Sequence, residues 1–139
     1  MIISNEAAML DFGKSFAKEL HFPAVIELIG DVGAGKTTFT RGLALGLGIK
    51  EPVTSPSFTI SKCYAFPSGT LTHYDFYRLG DPGIMAEDFA ESLKNSSVVV
   101  VEWGEDVAGL LPENHYRITI SYNDDGTRTV KEEQICNYT

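Results

Sequence analysis

Residues Gly30 to Thr37 read G-D-V-G-A-G-K-T, a complete glycine-rich phosphate-binding loop. The apolar run Ala24 to Ile29 precedes it and predicts a buried strand, whereas Thr38 to Leu47 predicts the opening of a helix. In that setting several backbone N–H groups turn inward at the positive end of the helix dipole. A glycine-rich turn that merely joins the two elements is the alternative, but the Lys-Thr pair and both flanks favour a site for a nucleoside triphosphate.

The last two residues of the loop carry distinct predicted roles. Lys36 is placed to reach the β- and γ-phosphates of the nucleotide, and the Thr37 hydroxyl can bind Mg²⁺. Both roles follow from the chemistry of the loop, which predicts a nucleoside triphosphate with Mg²⁺. The choice of ATP as the expected nucleotide depends on the base. No Asn-Lys-x-Asp element of the kind that reads guanine occurs in the sequence, which favours adenine by absence.

Two acids are candidates for the catalytic chemistry. Glu102 directly follows four valines, Val98 to Val101, and the carboxyl end of a buried strand is where open α/β sheets place their ligands. Asp75 ends a second strand-like run; it fits water activation or metal support, and a structural role fits about equally well. His73 fits a hydrogen-bonded structural histidine better than a metal ligand, since no second His or Cys lies at metal spacing.

The remaining pattern predicts a single domain over residues 1–139, an α/β fold of the P-loop NTPase type with three layers. Its mixed central sheet is expected to be parallel in the centre and antiparallel at the edges. A first helix is predicted from Asn5 to about Leu20 with Ser4 as its N-cap, and Gly46 and Gly48 are expected to close the second helix. The other predicted elements are strands 59–66, 70–75, 116–122 and 128–135 and a helix over 86–94.

Charge and composition restrict the partners. Eleven Lys and Arg against nineteen Asp and Glu give a net charge of −8, so stand-alone binding of RNA or DNA is not expected. An acidic face could dock a protein partner or simply keep the domain soluble. No run is long enough to span a bilayer and no secretory signal is seen, so a cytoplasmic location is expected. Cys63 and Cys136 lie far apart without metal-ligand spacing, and both are expected to be reduced rather than joined in a disulfide.

Four motifs occur along the chain in this order: G-D-V-G-A-G-K-T-T-F-T-R-G, V-T-S-P-S-F-T-I, H-Y-D-F-Y-R-L and V-E-W-G-E. With these motifs the chain resembles the TsaE family, also called YjeE. Members are small bacterial ATPases that support formation of threonylcarbamoyladenosine in tRNA and act with a TsaB–TsaD pair. The resemblance therefore implies an ATP-hydrolysing accessory protein for a TsaB–TsaD type complex. It does not imply that this chain transfers the threonylcarbamoyl group.

The resemblance also implies roles for individual residues. It places the loop on the phosphates, Thr37 and Glu102 at Mg²⁺, Asp75 near the γ-phosphate, and Thr54 to Ser57 in a switch-like segment. Asn5 and Arg128 are expected to border the base or ribose. The predicted catalytic residues are thus Lys36, Asp75 and Glu102, and the predicted cofactor-binding residues are Asp31, Gly33, Ala34, Gly35, Lys36, Thr37, Thr38, Asp75, Asn5 and Arg128.

Two other functions fit the loop less well. A small-molecule kinase on the same fold usually has a mobile lid with arginines, which is hard to find among eleven scattered Lys and Arg. A nucleotide-sensing module that never hydrolyses its ligand would not need the paired acids Asp75 and Glu102.

Overall fold

In the computed structural model, the described residues are 1–31, 34–54, 56, 61–76, 86–102 and 111–135. They form seven strands and three helices in the chain order β1 (Ile2–Ile3), α1 (Glu6–Glu19), β2 (Ala24–Ile29), α2 (Lys36–Leu47), β3 (Ser61–Phe66), β4 (Gly69–Asp75), α3 (Ala86–Asn95), β5 (Val98–Glu102), β6 (His115–Tyr122) and β7 (Arg128–Ile135). Within these ranges, no helix combines the length and apolar composition required to cross a membrane.

The seven strands form one mixed sheet in the order β1-β7-β6-β2-β5-β4-β3. The central strands β6, β2, β5 and β4 pair in parallel, whereas β7 pairs antiparallel with β6, β1 with β7, and β3 with β4. The predicted α/β class with a parallel centre and antiparallel edges is therefore confirmed. The two-residue strand β1 was not predicted from the sequence.

The helices cover both faces of the sheet, which gives the predicted three layers. On one face, Phe16 of α1 and Phe39 of α2 pack with sheet residues such as Ile26 and Leu71. On the other face, Phe89 of α3 packs with a smaller set that includes Tyr74, Val99 and Val101. Alternation along the strands explains the division, because successive side chains point to opposite faces.

Helices α1 and α2 pack closely because small residues lie where they meet. A Cβ atom on Gly42 would lie 2.3 Å from the Leu10 carbonyl oxygen, and one on Gly13 would lie 2.5 Å from that of Phe39. These distances are well below van der Waals contact, so the two backbones could not pack this closely with larger residues. The close packing holds α1 beside the helix that follows the phosphate loop.

Two predicted helix ends differ from the observed ones. Asn5, rather than Ser4, is the N-cap of α1, since its Oδ1 accepts a hydrogen bond from the Ala8 N–H at 2.8 Å. Gly46 lies inside α2, and the helix ends at Gly48, whose φ of 93° is the left-handed conformation that glycine adopts without strain. A Cβ on Gly46 would lie 2.6 Å from that of Ala17, so Gly46 serves the helix contact rather than the helix end.

Candidate nucleotide site

The loop between β2 and α2 is described up to Asp31 and from Ala34 onward. The Ala34 N–H donates to the Asp31 carbonyl at 3.0 Å. Gly35 is the N-cap of α2 with a φ of 114°, a conformation that L side chains rarely adopt. The loop therefore leads directly into the amino end of a helix, where backbone N–H groups and the helix dipole favour an anion.

Lys36 and Glu102 lie next to each other at the carboxyl edge of the parallel strands. The Lys36 Nζ is 3.8 Å from the Glu102 Oε1, and both side chains are buried. Strands β2 and β5 are neighbours, with Leu28 in register with Glu102, so the acid lies beside the start of the loop. The geometry brings the predicted phosphate-binding lysine and the predicted metal-binding acid into one site.

Asp75 lies on the adjacent strand at the same level. It is in register with Glu102 between β4 and β5, and the Phe76 N–H donates to the Glu102 carbonyl at 3.1 Å. Register partners point to the same face of a sheet, here the face that carries α1, α2 and the loop. The two acids are thus the last residues of neighbouring strands and border the same end of the site.

His73 is a residue whose place in the site was not predicted. It is fully buried two residues before Asp75 on β4, and its Nε2 forms a hydrogen bond with the Glu102 Oε2. The prediction of a hydrogen-bonded histidine was right, but its partner is the central acid of the site. The two-residue spacing between His73 and Asp75 in a strand is the sequence signal that could have indicated a shared face.

A pocket of about 260 Å³ opens beside the loop. Asn5 and Arg128 line it together with Ala34, Gly35 and Thr38, although these residues lie far apart in the sequence. The volume is near the lower end of the range typical of small-molecule sites, roughly 300–1,000 Å³. The structure therefore brings together the loop and the two residues that the resemblance assigns to the base or ribose. The pocket is also lined by Met9, Glu6 and Gly126, which were not predicted.

Arg128 is held in place at the rim of this pocket. Its Nε donates to the Ala34 carbonyl at 3.1 Å, and one terminal nitrogen donates to the Gly126 carbonyl at 2.7 Å. The guanidinium lies 3.9 Å from the centre of the Tyr122 ring, a cation–π contact. Arg128 thereby connects the β6–β7 hairpin directly to the phosphate loop.

The start of the switch-like segment is anchored to the same framework. Thr54 makes two hydrogen bonds to residues of β3. Its hydroxyl accepts from Lys62 Nζ at 2.5 Å, and its N–H donates to the Tyr64 hydroxyl at 3.4 Å. Arg41 of α2 donates to the Val53 carbonyl at 3.0 Å. The segment therefore begins at a point that side chains of α2 and β3 hold in place.

Oxygen donors at this edge fit a magnesium ion held jointly with phosphates. The Thr37 side chain is half-buried at the start of α2, and the Glu102 carboxylate lies 3.8 Å from neighbouring Lys36. Over the described ranges no group of three or more His, Cys, Asp or Glu forms a metal cluster. Mg²⁺ in nucleotide sites does not need one, because it takes one or two protein oxygens, phosphate oxygens and water.

Some predicted residues lie outside the described part of the chain. Gly33 of the loop, Ser55 and Ser57 of the switch-like segment, and Trp103 after Glu102 belong to this group. Cys136 does as well, whereas Cys63 is an exposed free thiol on β3. The roles of all the predicted site residues stay predictions.

Comparison with known proteins finds relatives that match most of the chain. The family "Threonylcarbamoyl adenosine biosynthesis protein TsaE" matches residues 3–130. The tRNA threonylcarbamoyladenosine biosynthesis protein TsaE of Haemophilus influenzae is 39% identical over 129 residues, which cover 88% of this chain and 82% of that protein. Its counterpart in Treponema pallidum is 41% identical over 124 residues, covering 86% and 88% respectively.

A solved structure has the same fold. The crystal structure of Bacillus subtilis YdiB superposes with a TM-score of 0.80 at 32% sequence identity, covering 99% of this chain and 84% of that one. The family match spans the loop, both acids and the pocket residues, including Arg128. By sequence and by fold, this chain belongs to the TsaE family.

Proposed function

We propose that this chain binds ATP with Mg²⁺ and hydrolyses it as an accessory protein in the formation of threonylcarbamoyladenosine in tRNA. The observation that carries the proposal is the contact between Lys36 Nζ and Glu102 Oε1 at 3.8 Å, at the end of a strand–loop–helix unit. A lysine at the start of a helix beside a buried acid on the next strand is what a triphosphate and its metal require. The names of the relatives supply the tRNA modification.

The chemistry asked of the residues is positioning and electrostatic stabilisation. Loop amides and Lys36 would hold the β- and γ-phosphates, and Thr37 and Glu102 would hold Mg²⁺, which offsets charge on the transferred phosphoryl group. Asp75, beside Glu102, would orient the attacking water. The Asn5–Arg128 pocket would take the adenosine part of the nucleotide.

The partner is a protein complex of the TsaB–TsaD type, as the family resemblance implies. Because the net charge is −8, the chain itself offers little attraction to the phosphate backbone of tRNA. Recognition of tRNA would then fall to the partners, and hydrolysis by this chain would drive or reset their cycle.

Calorimetry with ATP and Mg²⁺ tests the nucleotide site. Lys36→Ala is expected to abolish binding, because it removes the buried ammonium group that would offset negative charge on the β- and γ-phosphates. Lys50→Ala is the matched control, since Lys50 is an exposed lysine past the far end of α2, about 18 Å along the helix axis from Lys36. Near-parent affinity in Lys36→Ala would contradict the assignment of the site.

Reconstitution tests the biological role. The chain is mixed with a TsaB–TsaD pair, tRNA, ATP and the substrates of the modification, and phosphate release and modified adenosine are followed together. Release that depends on the partners, with modified adenosine formed over many turnovers, is the expected result. Transfer of phosphate to a metabolite instead of water would indicate a kinase and reject the proposal.

A further inference from the structure

We propose that His73 is a positioning residue that holds the Glu102 carboxylate in place while Lys36 moves from Glu102 to the nucleotide. The inference rests on the proposed function and adds a residue to it. It starts from the two oxygens of Glu102, which have different partners: Oε1 faces Lys36, and Oε2 is bonded to His73.

The two contacts differ in kind. The Lys36 Nζ is 3.8 Å from Oε1, which is an ion pair without a hydrogen bond, whereas His73 Nε2 is within hydrogen-bond distance of Oε2. A carboxylate only accepts hydrogen bonds, so Nε2 carries the hydrogen in this contact. A triphosphate can therefore replace Glu102 as the partner of Lys36, whereas the hydrogen bond between His73 and Glu102 remains when the nucleotide binds.

The burial of His73 argues against a role in packing alone. Its side chain is fully buried, yet its Nδ1 has no hydrogen-bond partner among the residues that the structure describes. A buried polar atom without a partner costs stability, so a purely structural site would be better served by an apolar side chain. What the ring supplies here is its single hydrogen bond to Glu102.

The strand geometry explains why position 73 can do this. His73 and Asp75 are two residues apart on β4 and share a face, and β4 is in register with β5 through the pairs His73–Val100 and Asp75–Glu102. The imidazole therefore lies two residues behind Glu102 along the strand direction, on the same face of the sheet, and contacts Oε2, whereas Oε1 faces Lys36. When Lys36 binds phosphate, the carboxylate stays aimed at the position that the metal would take.

Three variants separate this role from a general loss of structure. His73→Leu removes the donor and keeps much of the volume, and His73→Gln keeps an N–H that can reach the place of Nε2. Tyr74→Phe, at the next residue, is a control because Tyr74 faces the opposite side of the sheet and packs with Phe89. Thermal unfolding and circular dichroism first establish that each variant is folded.

The readouts are nucleotide affinity with and without Mg²⁺, the Mg²⁺ concentration that half-saturates the ATP complex, and kcat and KM for hydrolysis with the partners. In His73→Leu we expect metal-free affinity within about twofold of the parent. The half-saturating Mg²⁺ concentration should rise, and kcat should fall, by about 10- to 100-fold, as is typical for residues behind metal ligands. His73→Gln should recover most of both losses, and Tyr74→Phe should match the parent in nucleotide affinity, Mg²⁺ dependence and kcat.

Two outcomes would overturn the inference while leaving the proposed function intact. A folded His73→Leu with parent Mg²⁺ dependence and kcat would show that Glu102 needs no support. A His73→Gln as impaired as His73→Leu would show that the hydrogen bond is not what position 73 supplies. Failure of the parent protein to bind or hydrolyse ATP is a different result, and it would reject the proposed function itself.

Discussion

Asp75 and Glu102 are register partners, each the last residue of its strand, on the neighbouring parallel strands β4 and β5. Parallel pairing places the two carboxyl ends at one edge of the sheet, where the loop after β2 also begins. The acids come from positions 27 residues apart, and the loop follows a third strand, β2, which is the central strand of the seven. The site is thus a product of the strand order rather than of any one segment.

This arrangement predicts opposite effects on binding and on turnover when the acids are neutralised. Glu102→Gln removes the negative charge that now attracts Lys36 at 3.8 Å, so metal-free ATP affinity should stay equal to the parent or become tighter. Turnover with the partners should fall by about 10²- to 10³-fold, the cost of losing one preorganised charge-stabilising group. Calorimetry and phosphate release measure the two quantities.

Asp75→Asn should follow the same pattern for a different reason. Asp75 is proposed to orient the attacking water, so its loss should lower kcat with little change in ATP affinity. Glu19→Gln, an exposed acid at the end of α1, is the control for the loss of one charge. Loss of ATP affinity by more than about tenfold in either site variant would count against these roles.

Arg128 gives a prediction that separates the adenosine pocket from the phosphate loop. Arg128→Ala should weaken ATP and ADP equally, by about tenfold, which corresponds to about 1.4 kcal/mol. Tripolyphosphate should bind as to the parent, because it lacks the base and ribose. Competition binding with all three ligands measures this, and an equal loss for tripolyphosphate would mean that Arg128 acts only by holding the Ala34 carbonyl.

Much of the fold could be predicted because each element has its own local pattern. The valine run of β5, the alternation of β6 and the glycine-rich loop all predict their structures without reference to the rest of the chain. Strand β1 has two residues and no pattern of its own; it forms because Ile2 and Ile3 pair with the start of β7. Its existence depends on tertiary contact, which a local pattern does not contain.

The site was predicted in part for the same reason. Lys36, Thr37 and Glu102 follow from the loop and from a strand end, and Asp75 gained its role from the family resemblance. The bond between His73 and Glu102 depends on β4 pairing with β5 in this register, and the choice of neighbouring strand is set by tertiary contacts that a local sequence pattern does not contain. Asn5 and Arg128 meet in one pocket from opposite ends of the chain, which only the resemblance indicated.

The close contact of α1 and α2 leads to a stability prediction. Gly42→Ala would place a Cβ 2.3 Å from the Leu10 carbonyl oxygen, a backbone atom that cannot rotate away. The helices must move apart, at a cost of about 1–3 kcal/mol, as is typical of overpacking. Chemical denaturation measures the free energy of unfolding, and Ser15→Ala on the exposed side of α1 is the control. A Gly42→Ala protein of parent stability would mean that the helices are not packed at this distance.

Tyr74 leads to a prediction about alkaline pH. Its hydroxyl lies 2.7 Å from the Asp88 Oδ2 and 2.6 Å from the Ser92 Oγ, and burial of the ring raises the pKa of the phenol above its ordinary value. In the unfolded chain the phenol loses its proton near pH 10, whereas in the folded protein it keeps it. The raised pKa therefore contributes stability that is fully present below about pH 10 and is lost as the pH rises toward the folded pKa.

Tyr74→Phe tests this by removing the titrating group. At pH 8 it should lower the free energy of unfolding by about 0.5–1.5 kcal/mol, the typical net value of a hydrogen bond. Above pH 10 the free energy of unfolding should fall less steeply in the variant than in the parent. The difference between the two slopes is at most about 1.4 kcal/mol per pH unit, the value for one proton. Ser92→Ala is the matched control: it removes a hydrogen-bond partner but keeps the phenol, so the pH dependence should remain. If the difference in the free energy of unfolding between the parent and Tyr74→Phe stays constant from pH 8 to pH 11, the buried phenol does not couple folding to pH.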